Sequence, residues 1–144
     1  MKGKGTKRVV INFLPYECAA AEEYLEKMAQ SGWRLESITG AFLKFKEIEP
    51  KRIRYSVDVL DKVSVFDSSN SNPALEYREY CHAAGWNYVC EKGKIQIFST
   101  EDISNTISIH TDQREKFNSV FKASLPYIAS QVLMLIIFTL NLHM

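Results

Sequence analysis

The chain has 144 residues, 46% of them hydrophobic and 24% charged, with 18 basic side chains against 17 acidic ones. That length gives one domain with a sizeable core, and that composition excludes a disordered chain. A net charge of +1 supplies no field to draw the chain onto nucleic acid, and three cysteines without a CxxC spacing exclude a disulfide framework.

Residues 1–7 read as a basic tail. The apolar run from Val9 to Leu14 is too short for a secretory leader. The opening "GKGTK" lacks both the preceding strand and the full spacing of a phosphate-binding loop. Lys2, Lys4, Lys7 and Arg8 face either solvent or anionic lipid. "RVVINFL" is the first strand of a domain expected over residues 8–112.

A repeat organises this domain. A shift of 53 residues lays Glu23, Tyr24, Glu26, Gly32, Trp33, Gly40 and Phe45 onto Glu76, Tyr77, Glu79, Gly85, Trp86, Gly93 and Phe98. Seven identities in 23 ungapped positions exceed what composition alone would give, and two copies point to a closed unit rather than a solenoid. The first copy is expected over residues 16–60 and the second over 72–112. In the first, Ala21, Leu25, Met28 and Ala29 form a helical stripe. In the second, Asn72 is the expected N-cap before Pro73, and Tyr77, Tyr80, Cys81 and Ala84 form the stripe.

Each helix runs into a Gly-Trp pair. Glycine just past a helix takes the left-handed conformation that ends it, so Gly32 and Gly85 are expected helix stops. Trp33 should then touch Met28, and Trp86 should touch Cys81. Hairpins follow, turning near Gly40 and at Lys92-Gly93. "RIRYSVDV" alternates as a third strand, with Ile53, Tyr55, Val57 and Val59 on one face, and "NTISIHT" is expected to do the same. The order becomes β-αβββ-αβββ: an α+β fold of tandem pseudo-two-fold αβββ repeats on antiparallel sheet. The stretch "DSSNSNP" reads as the linker between the copies.

Residues 113–144 form a juxtamembrane segment and a transmembrane helix. No charge falls between Ala123 and Leu142, and twenty residues at 1.5 Å each just cover a hydrocarbon core of roughly 30 Å. Tyr127, Gln131, Leu135, Phe138 and Leu142 recur along this helix, and Gln131 is a candidate interhelical hydrogen-bond donor. Val132 to Leu140 is apolar on every side, which a helix docked on the domain does not need. Arg114, Lys116 and Lys122 precede the span and no lysine or arginine follows, so residues 1–122 are expected in the cytoplasm.

Helix-"MAQSGW", the hairpin with "FLKF", "RYSVD", then "YREYCHAAGW", "IFS" and "ISIHTD" before an apolar helix together resemble the bacterial domain-of-unknown-function family 2812. The resemblance runs from about Arg8 to the end of the chain. It implies a cytosolic α+β domain ahead of one or more membrane helices, in a regulatory setting beside regulators of the phenolic-acid decarboxylase type. It carries no catalytic residue.

No reaction is legible. His82, His110 and His143 lack metal-ligand spacing, and adjacent helical residues such as Cys81 and His82 cannot pair as nucleophile and base. No cofactor or metal is expected. Glu22, Glu23, Glu101 and Asp102 read as solvated, and Asp58 and Asp112 as turn or cap residues closing their strands. What remains is aromatic. Tyr24, Trp33, Phe45, Tyr77, Trp86 and Phe98, with Asp58, either fill the core or line a cleft between the repeats for a lipophilic or cationic ligand. By analogy, the tandem arrangement is similar to the effector-binding domains of the multidrug-sensing, gyrase-inhibitor-like type. The leading expectation is a non-enzymatic regulatory or signalling module. It would be held in the bilayer through residues 123–142 and work through a membrane or cytosolic protein partner, without nucleic acid. The alternative is a ligand-sensing domain.

Overall fold

A computed structural model describes residues 5–10, 14–60, 72–107 and 113–142, with the backbone alone at 15, 72 and 113–120. In chain order these form β1 (Thr6–Val10), a 3-10 turn (Pro15–Glu17), α1 (Cys18–Gln30), β2 (Trp33–Thr39), β3 (Phe42–Glu47) and β4 (Arg54–Val59). They continue with α2 (Asn72–Ala83), β5 (Asn87–Lys92), β6 (Ile95–Thr100) and α3 (Gln113–Leu142). Residues 67–71 of the expected linker, and "SIHTD" at 108–112, lie outside the described residues.

Local chemistry explains the helices and turns. Cys18, Ala21, Leu25 and Ala29 give α1 one buried stripe, while Glu23 and Lys27 pair across one turn of its exposed face at 2.6 Å. Gly32 and Gly85 have φ of +89° and +92°, which side-chain-bearing residues rarely adopt. At the second stop the Gly85 amide donates to the His82 carbonyl and the Trp86 amide to the Cys81 carbonyl, the bond pair of a Schellman cap. At the first, the Gly32 amide donates to Ala29. Both hairpins turn on positive-φ glycines, Gly40 and Gly93.

Two three-stranded antiparallel sheets result, in the orders β1-β3-β2 and β4-β6-β5. Here the expected αβββ grouping is corrected. The sequence pattern places β4 in the first copy as its third strand, but it pairs with β6 from Arg54↔Thr100 to Val59↔Ile95. Each sheet is therefore a split β-α-β-β unit, in which the strand before the helix returns beside the last strand of the hairpin. Residues 101–107 follow β6 as bends and turns, so the described part of "NTISIHT" is not a strand. The two hairpins also share a defect. The register breaks after Leu35↔Phe45 in one and after Tyr88↔Phe98 in the other, positions 53 apart.

The larger core gathers Ala21, Leu25 and Ala29 of α1, Leu35, Leu43 and Phe45 of the first sheet, and Tyr55, Val57, Ile95 and Ile97 of the second. Met28 and Trp33 both pack against it. A smaller cluster of Cys81, Trp86 and Phe98, with Tyr77 and Ala84 beside it, lies between α2 and the opposite face of the second sheet. The second sheet is thus covered on both faces, so the polar side of β4 is buried: Ser56 is 7% exposed and Asp58 only 1%.

α3 behaves differently from the other elements. Its early part packs against the 3-10 turn and β4, burying Ser124 and half-burying Ala123. Beyond these, every residue through Leu142 is exposed.

Candidate functional site

The seven residues expected to line one cleft are not brought to one place. Tyr24 meets Phe45 edge-on, with ring centroids 6.3 Å apart, inside the first half. Tyr77 meets Phe98 in the same way at 5.9 Å inside the second. Phe45 and Phe98 are wholly buried and Trp86 is 3% exposed, so these rings fill helix–sheet interfaces. The tryptophans are matched as well: a cation from the strand preceding each helix sits over each indole, Lys7 on Trp33 and Arg54 on Trp86.

Asp58 is not a turn residue. It lies inside β4, where the Ser56 hydroxyl donates to its carboxylate at 3.1–3.2 Å. Burial, and after it the Asp58 carboxylate, raise the pKa of the Tyr77 phenol. The same two causes push the Cys81 thiol up to about 12. Burial, then Glu91, pushes Cys90 up to about 12. All three cysteines are buried and outside any disulfide, and neither shifted thiol carries the anionic character that nucleophilic chemistry needs.

Glu22, expected in solvent, has structural work instead, and so has Glu26. Glu22 accepts the Val57 amide at 2.9 Å and Glu26 accepts the Tyr55 amide at 3.3 Å. Spaced one turn apart on α1, they satisfy donors on the outer edge of β4, where an open edge would invite pairing with another chain. Their i,i+4 spacing beside the apolar stripe was the available signal. Glu23, by contrast, is exposed as expected. Sequence reading also missed Arg78, whose guanidinium bonds Glu91 at 2.6 Å and lies 3.9 Å from the Tyr88 ring centre.

An open, polar hollow of about 480 Å³ lies where α2 ends, lined by Arg34, His82, Asn87, Ser99, Thr100 and Glu101 among others. Glu101 bridges Arg34 at 3.0 Å and Lys51 at 2.8 Å. Lys51 first, and Arg34 after it, hold the Glu101 carboxyl below its ordinary pKa. None of the seven cleft candidates lines this hollow. Beside it the chain leaves the domain: Trp86 Nε1–H donates to the Ile107 carbonyl at 2.8 Å, and the Ile107 amide donates to Ala84. Thr106 packs within 3.6–3.7 Å of where a Cβ on Gly85 would lie.

The remaining candidates are on α3. Phe121–Leu142, 22 residues, is long and apolar enough to cross a membrane. Tyr127, Gln131, Leu135, Phe138 and Leu142 are all exposed on it. Ser130, Thr139 and Asn141 donate to the helix's own carbonyls at 2.8–2.9 Å, which reduces the cost of placing them in lipid.

No curated protein and no solved structure matches the chain. The model of the family described as protein of unknown function (DUF2812) matches residues 17–132, from the end of the 3-10 turn through α1, β2 to β4, α2, β5 and β6 into the apolar part of α3. Since that match takes in most of the chain, the protein belongs to the DUF2812 family.

Proposed function

We propose that the chain is a membrane-anchored module. In this reading α3 crosses the bilayer, the α+β domain sits on the cytoplasmic side, and the module works by binding a protein partner rather than by catalysis. One observation carries the reading: from Leu125 to Leu142 the helix is apolar and exposed, while Ala123 and Ser124 are seated on the domain. An exposed apolar face of this size is unfavourable in water and favourable in hydrocarbon. Lys122 at the start of the span, and Arg114 and Lys116 before it, support the cytoplasmic side. The high thiol pKa values support binding over nucleophilic chemistry. The regulatory setting is the one the family resemblance implies.

We read the two sheets as halves of a duplicated, pseudo-two-fold unit, supported by their matched helix stops, hairpin bulges, T-shaped ring pairs and cation-capped tryptophans. A cysteine introduced at Thr6 tests the topology. It should resist an impermeant thiol reagent on intact cells and react after lysis; labelling of intact cells would overturn the cytoplasmic assignment.

A further inference from the structure

The described residues leave the outer face of the first sheet uncovered, and its side chains are sorted along the strands. Val10 and Phe42 are cross-strand partners at one end and are 66% and 49% exposed. Tyr16, six residues after Val10 on the 3-10 turn, is also exposed. α3 packs against that same turn, which carries Tyr16, as it leaves the domain. The next pair along the face is Arg8↔Lys44, and the pair after that includes Lys46. Pairs on one face of a strand are about 6.8 Å apart. Lys44 is bonded to Glu36, and Arg34, the cross-strand partner of Lys46, is bonded to Glu101. Rings and a valine at one end with cations one and two steps above it match the depth order of a bilayer surface, where the acyl boundary lies beneath the phosphates.

We propose that this face docks on the surface of an anionic bilayer, with Val10, Phe42 and Tyr16 at the acyl boundary and Arg8, Lys44 and Lys46 against lipid phosphates. The inference rests on α3 being a membrane span. Docking would fix the domain against the membrane instead of leaving it free on a tether.

A nitroxide on Val10→Cys in the intact chain tests it, since the native cysteines are buried and two of the thiols are held protonated. The protein is reconstituted in phosphatidylcholine alone or with one third phosphatidylserine. With the anionic lipid the probe should collide more with membrane-dissolved oxygen than with a water-soluble chelate. Arg8→Gln with Lys46→Gln should lower the docked-to-free ratio by about 25-fold, at roughly 1 kcal/mol per cation near the surface. A probe that stays in water while the chain remains in alkaline-washed vesicles would overturn the docking and leave the span intact. A chain washed out of the vesicles would remove both. Shielding of the probe by single-stranded RNA without lipid would assign the face to nucleic acid and overturn the proposal.

Discussion

The two halves of the domain share one device and use it for different ends. In the first, the α1 stop receives the segment leading to β4: the Gly32 carbonyl accepts the Ile48 amide, and the Ala29 carbonyl accepts Lys51. In the second, the α2 stop receives Thr106 and Ile107 on the way to α3. The first junction therefore holds a connection inside the domain, and the second holds the exit toward the apolar helix. Their burial follows the same division. Among the described residues, fourteen buried ones form the core around the first half and the sheet contact, whereas the α2 side buries three in its own cluster. The same helix stop can keep its local geometry while the segments it receives have different duties.

Phe45→Ala and Phe98→Ala should break this comparison most severely. Emptying a buried phenylalanine site costs about 3–5 kcal/mol. Phe45 should lie at the upper end of that range and Phe98 at the lower, measured by urea unfolding of the intact chain in detergent. Equal losses would mean that the α2 cluster is as tightly packed as the larger core. Gly32→Ala and Gly85→Ala come next. Both force a side chain to positive φ, but a Cβ on Gly32 would lie 3.1 Å from the Ile48 carbonyl oxygen, whereas one on Gly85 has ordinary contacts with Thr106. Expected losses are about 2 and about 1 kcal/mol, respectively. Trp86→Phe should then cost about 1 kcal/mol through the lost bond to Ile107 and loosen residues 106–107 in hydrogen exchange. Trp33 has no such bond among the described residues, so Trp33→Phe should cost less and leave that exchange unchanged.

The smallest effect near neutral pH concerns the thiols. Cys81 and Cys90 go from an ordinary value of 9.0 to about 12 in the folded chain. The raised values favour the folded state fully below pH 9, and that contribution is lost as pH rises from about 9 toward 12. The urea midpoint should be insensitive to these groups through neutral pH and fall across that alkaline window. Replacing either thiol by Ala should flatten the fall.

Legibility in the sequence followed the range of the interaction. The helix stops at Gly32 and Gly85, the turns at Gly40 and Gly93, and the α1 stripe rest on contacts a few residues apart, and the structure has them at those positions. The partner of β4 is a long-range choice. "RIRYSVDV" alternates as well beside β3 as beside β6, and nothing in it says that α2 will cover its polar side. For the same reason Asp58 read as a turn residue and Glu22 as solvated: each gained its role from an element distant in sequence. The paired aromatics were visible as pairs, yet the 53-residue shift relates Tyr24 to Tyr77, while contact relates Tyr24 to Phe45.

The most direct measurement is alkaline carbonate extraction of membranes from cells expressing the intact chain, with a variant carrying lysine at Leu135 and Phe138 alongside. If α3 spans the bilayer, the unaltered chain pellets with the lipid and the doubly charged variant is released. An unaltered chain found in the soluble fraction would contradict membrane spanning.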